Sequence, residues 1–411
     1  MPCCLLQGAL LGIATDWQHY RIPGTQLVDY GPDMDGFSPT YKHVMAGCSQ
    51  GNNAWMLRDF ASFRAAQGRA DDAAALRRLA AGIVRDTMGL MYQSEGGHGW
   101  FNLIHPSSAN NASVPPPAAA ATTAVMRHEM RHVVDFFSVT FGLCGLAHDD
   151  GGDQICDFSP QQRRELGAWF RGESVTRSWV RATSPACNCN NSAELPYPPP
   201  AAAQQPAGAP AQGGPSAVAA AVAAAKAAAK AAAKAREEAG PYPGLTTCKA
   251  DRSDHGTTGA YPSWPAFALE ALCYLDGNCT SAFAIMGSFA ENTHQGPFGQ
   301  SQEVPQLLTP PYTPLNDELA FKPTKGVNRY VAIEGGAFFD AILRGFFGYH
   351  APLQWGPADG AAGAVQRDLD AALSNAAAPR GFSGRLTNLR TPHGLVTITA
   401  DAATGLSVRV Q

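Results

Sequence analysis

The chain has 411 residues, 45% of them hydrophobic, and a formal net charge of −4. That length suffices for one large domain or two ordinary ones, each with a sizeable core. The slightly acidic balance leaves no basic footprint for nucleic acid or for an anionic membrane surface, so a neutral partner fits better.

The first apolar stretch, CLLQGALLGIA, is far shorter than the roughly 18 apolar residues of a membrane span and is broken by Gln7 and Gly8. No Lys or Arg precedes Arg21, so it lacks the basic start of a secretory signal. It reads as an internal helix of a longer protein. Neither a signal peptide nor a transmembrane segment is predicted, and the compartment stays open. The ten cysteines are spread thinly enough to permit disulfides without requiring them. The CNC at Cys187 and Cys189 has no following His pair, so no metal site is predicted.

Asp35 lies in GPDMDGFSP, a Gly- and Pro-rich loop in which an Asp also serves to hydrogen-bond its own backbone. After it, the spacing predicts a pair of helices, Asn53 to Gln67 and Asp71 to Tyr92, broken at Gly68. The second carries Leu76, Leu79, Ile83, Val84, Met88 and Met91 on one side. YQSEGGHGW follows, ending on Trp100. Residues 107–124 are a low-complexity insertion. Arg131 to Ala147 is apolar nearly all round, as an inner helix should be; Arg127, His128, Arg131 and His132 beside Asp135 fit a salt-bridged helix start. Ser159, Pro160 and Gln162 form the signature of a capping box for a helix through Phe170.

A second low-complexity insertion spans 194–244 and contains an AAAK repeat of high helical propensity, read as a linker. Long insertions of this kind cost a fold only about 0.6 kcal/mol per doubling of loop length. The segment from Arg252 to Gln300 then concentrates suggestive residues: Arg252, Asp254 and His255 in a polar loop, Tyr261 and Trp264 at a Pro-rich turn, and Glu291 in FAENTHQGPFGQ, closed by Gln300. Trp264, Phe267, Ala268, Ala271 and Leu275 recur at helical spacing, so a helix starts just after Pro262. Gly335 to Tyr349 is another thickly apolar helix, and Gly381 to Val410 alternates with turns at Pro392-His393-Gly394 and Thr404-Gly405, the pattern of β-strands.

Helical hairpins with decorated loops suggest an all-α, (α/α)6 toroid over 1–380, with a small C-terminal β segment over 381–411. About four hairpins are legible where a closed ring needs six, so the toroid is expected to be incomplete at its N-terminus. At the end of such a ring, facing carboxylates suit glycosidic bond cleavage: one acid protonates the leaving oxygen and one base activates water, about 6.5 to 9.5 Å apart for inversion.

Three motifs in order carry a resemblance. GPDMDGFSP followed by two helices and YQSEGGHGW is similar to the ESGMDNSP succession of the six-hairpin glycosidase superfamily, which includes glycoside hydrolase family 63, trehalases and mannosylglycerate hydrolase. GAYPSWP resembles that superfamily's Gly-x-x-Trp-Pro helix start, and FAENTHQGPFG its base motif. The resemblance covers roughly Leu27 to Pro352 outside the insertions. It implies Asp35 as general acid and Glu291 as general base, acting without a cofactor on an α-linked oligosaccharide or small glycoside. Arg252, Asp254, His255, Tyr261, Trp264, Trp100 and Gln300 would contact the sugar, with Asp254 as reserve acid. Gly36 and Phe37 depart from the motif after the acid. Two alternatives stay open: a carbohydrate-binding toroid without activity, and a polysaccharide lyase using Tyr261 or His255 as base.

Overall fold

The computed structural model describes residues 12, 15, 17, 21–22, 24–28, 47–106, 123–145, 155–175, 180–184, 186–187, 192–197, 263–292, 306–307, 321–322, 333–349, 373, 380–392 and 394–410. Helix α1 (Gly47–Ala66) turns at Gly68, which adopts the left-handed φ of +75°, into α2 (Ala70–Asp86). Leu76 and Ile83 are buried on the inner side of α2, with Leu79, Val84 and Met88 packed against the same core. The second predicted helix does not reach Tyr92 as a regular α-helix. It widens into a π-turn (Thr87–Met91) and leaves as strand β1 (Tyr92–Glu95).

Strand β1 pairs with β2 (His98–Phe101) through Gly96 and Gly97, both at positive φ, as a tight two-residue hairpin turn requires. Strands β3 (Leu103–Pro106), β4 (Thr123–His128) and β5 (Ser192–Tyr197) form a second antiparallel sheet with β4 in the middle. Helix α3 (Val133–Cys144) is the inner helix that its all-round apolarity predicts, buried along nearly its whole length and packed between α1 and α5 (Trp264–Asp276). Its approach to α1 is so close that a Cβ at Gly142 would overlap the Gly51 carbonyl.

Helix α4 (Pro160–Trp169) starts on the predicted capping box: Ser159 Oγ accepts from the Gln162 amide, and Gln162 Oε1 accepts from the Ser159 amide. It runs into a π-turn (Phe170–Ser174), and Phe136 of α3 stacks on Phe170 with centroids 4.7 Å apart. After α5 come α6 (Thr280–Asn292), the two-stranded pair β6 (Gln306–Leu307) and β7 (Phe321–Lys322), and α7 (Ile333–Asp340) continued by a π-segment (Ala341–Phe346). Disulfides Cys144–Cys156 and Cys273–Cys279 tie the end of α3 to the segment before α4 and the end of α5 to the start of α6. The alternating C-terminal text forms the meander β8 (Gly384–Thr391), β9 (Gly394–Asp401) and β10 (Gly405–Val410), whose Val396, Ile398 and Ala400 face the core.

The all-α toroid is overturned. Among the described residues, seven α-helices are accompanied by four small antiparallel sheets, and the helices do not form a ring of hairpins. The physical reason lies in pairing over distance. Strands β3 and β4 flank the first low-complexity stretch and β5 borders the second, so their hydrogen-bond partners are far apart in sequence and no local period announces them. Thr123, Ala124 and Glu194 to Tyr197, read as insertion, are strand residues. No helix among the described residues is long and apolar enough to cross a membrane.

Candidate functional site

The hairpin turn at Gly96-Gly97 places His98 at the first position of β2, and the two-residue period of a strand puts Trp100 on the same face. That face meets the stretch between β4 and α3, where Glu129 and Arg131 lie immediately before the N-cap His132. The Arg131 guanidinium lies 3.7 Å from the centroid of the Trp100 ring. Its Nε donates to Glu129 Oε1 at 2.8 Å, and its Nη1 donates to both oxygens of Glu173 at 2.9 and 3.1 Å. Glu173 comes from the π-turn after α4, which lets a helix end present this carboxylate to Arg131.

Two further donors converge on Glu173. His98 Nδ1 lies 2.8 Å from Oε1, and Ser184 Oγ donates to Oε2. Burial pushes the Glu173 carboxyl up, but the hydrogen bonds from His98 and Ser184 and the Arg131 cation outweigh it and hold the group below its ordinary range. Segment 180–184 is clamped across the start of α3, with the Val133 amide donating to Ala182 O at 2.8 Å and the Ser184 amide to Arg131 O at 2.9 Å. Behind the cluster, Cys187 Sγ lies 3.6 Å from the Glu129 carbonyl. Burial pushes its thiol up to about 12, so it stays protonated and is a poor nucleophile at neutral pH.

Of the sugar-contacting residues implied by resemblance, the structure brings two into one neighbourhood. Trp100 is 2% exposed, covered on one side by Arg131, and donates through Nε1 to Asn102 Oδ1 at 2.9 Å. Trp264 starts α5 and meets His132, the residue after Arg131, edge-on with centroids 5.2 Å apart. Both rings are thus mainly packing surfaces around the dipeptide Arg131-His132. Glu291 lies in the last turn of α6. Asp35, Arg252, Asp254, His255, Tyr261 and Gln300 lie outside the described residues, as does the Glu291 side chain.

His98, Glu129, Glu173 and Ser184 escape a reading of the sequence alone. A signal for His98 was present, since a Gly-Gly hairpin turn puts residues 98 and 100 on one face. None existed for Glu173, whose partners Arg131 and His98 are 42 and 75 residues away. Among the described residues, no group of three or more His, Cys, Asp or Glu side chains is placed to hold a metal ion. Compared with known proteins, the chain matches no family model and no curated sequence.

Proposed function

We propose that this chain is a glycoside hydrolase acting on a neutral α-linked oligosaccharide or small glycoside, with Asp35 as general acid and Glu291 as general base. The observation that carries the reading is the order of its three motifs, with Glu291 in the final turn of the apolar helix α6. A carboxylate at a helix C-terminus is opposed by the helix dipole. Its presence there asks for a role other than helix stability, and proton abstraction from water is one that a carboxylate performs. Asp35 would supply the proton to the leaving oxygen, and inversion would follow from a carboxylate separation that admits water.

The test is release of reducing ends from neutral α-linked di- and trisaccharides by the full chain. Glu291→Gln and Asp35→Asn are each expected to lower kcat by about 10² to 10⁴, the usual contribution of one acid or base. Sugar binding without turnover would replace this reading with a non-catalytic binding protein. An unsaturated uronate product from acidic polysaccharide would replace it with a lyase.

A further inference from the structure

The donors on Glu173 determine the tautomer of His98. An ionised carboxylate only accepts hydrogen bonds, and Arg131 and Ser184 hold Glu173 in that form. His98 Nδ1, 2.8 Å from Glu173 Oε1, therefore carries a proton. In the neutral imidazole the free lone pair then resides on Nε2. No residue among those described hydrogen-bonds that nitrogen. The adjoining backbone is Gly172, where even an added Cβ would stand 3.6 Å from Nε2. The two ends of the dyad also differ in exposure: the His98 side chain is 35% exposed and the Glu173 side chain 11%.

We propose that His98 Nε2 is a hydrogen-bond-accepting site for a neutral, hydroxyl-bearing ligand, oriented by Glu173 at the rim of the Arg131 cluster. The ligand O–H donates to Nε2. Behind the ring, Glu129 and Glu173 both accept from Arg131, while Cys187 stays neutral. Arg181 Nη1 donates to the Glu173 carbonyl at 3.4 Å. The ligand class rests on the hydrolase reading, but the dyad does not depend on Asp35 or Glu291, so its failure and the failure of that reading are separate results.

Two measurements on the full chain decide it. Nitrogen-15 NMR of the imidazoles at neutral pH should show His98 as the Nδ1–H tautomer. Diethyl pyrocarbonate, read by mass spectrometry, should acylate Nε2 of His98. Glu173→Gln should slow that acylation about tenfold, because a charged acceptor is then replaced by a neutral amide. Ser184→Ala, which leaves the carboxylate in place, should largely preserve it. Saturating maltotriose, glucose or cellotriose should protect His98 in the wild type. An Nε2–H tautomer, or equal acylation in the wild type and Glu173→Gln, would overturn the dyad. Protection by none of the three sugars would overturn the ligand class. Should Glu173→Gln not fold, the wild-type tautomer decides.

Discussion

Glu270 sits in the middle of α5 and is 1% exposed, with the Tyr274 hydroxyl donating to its Oε1 at 2.7 Å. Burial is the dominant influence and pushes its carboxyl from 4.5 up to about 8; Asp340 adds to the rise, while the Tyr274 hydrogen bond and Arg344 oppose it. At neutral pH the folded protein thus holds this acid protonated, whereas the unfolded chain has released the proton. The sign follows directly. Below about pH 4.5 the group is protonated in both states and contributes no pH dependence. As pH rises from there towards 8 the unfolded state is increasingly favoured, and the loss levels off once the folded carboxyl also ionises. At about 1.4 kcal/mol per pH step, the full loss is on the order of 5 kcal/mol. That is a large share of the roughly 5–15 kcal/mol by which a domain is stable. Glu270→Gln keeps the shape and an acceptor for Tyr274 but has no proton to lose. Urea unfolding between pH 5 and 9 should therefore show the variant near wild type at pH 5 and several kcal/mol more stable at pH 9. Parallel pH profiles for the two proteins would refute the reasoning.

Two further outcomes follow from packing and charge. Gly142→Ala drives a Cβ into the backbone of Gly51, which cannot swing aside as a side chain would, so α1 and α3 must separate at a cost of about 3 kcal/mol or more; thermal melting would read it. Gly89→Ala, with nothing within 4 Å of its added carbon, is the control and should shift stability by less than about 1 kcal/mol. Arg131→Met strands the carboxylates of Glu129 and Glu173, which are 6% and 11% exposed, and should cost about 3–5 kcal/mol by urea unfolding. The wild type draws stability from the depressed Glu173 carboxyl above the unfolded value of 4.5 and loses it as pH falls through the folded value. Arg131→Met should flatten that acid limb and alter Trp100 fluorescence, since the guanidinium leaves the ring.

Features whose cause lies within a few residues were legible in the sequence. The Ser159 capping box, the Gly68 break between two helices, the start of α5 after Pro262 and the C-terminal alternation all depend on groups one to four positions apart. The two tryptophans were visible as aromatic candidates, but whether a ring offers its face to a ligand is decided by what lies on it, and Arg131 lies on Trp100.

The sequence by itself determined the capped start of α4, the start of α5 and the strands and turns of the C-terminal segment, because capping, turn chemistry and hydrophobic period are local. Tertiary structure alone decided that β3, β4 and β5 pair across two low-complexity stretches, which replaces an all-helical ring by a mixed fold. It alone assembled His98, Arg131, Glu173 and Ser184 around one carboxylate. Hydrogen bonds between residues dozens of positions apart leave no periodic trace along the chain; they exist only once the core has brought the segments together.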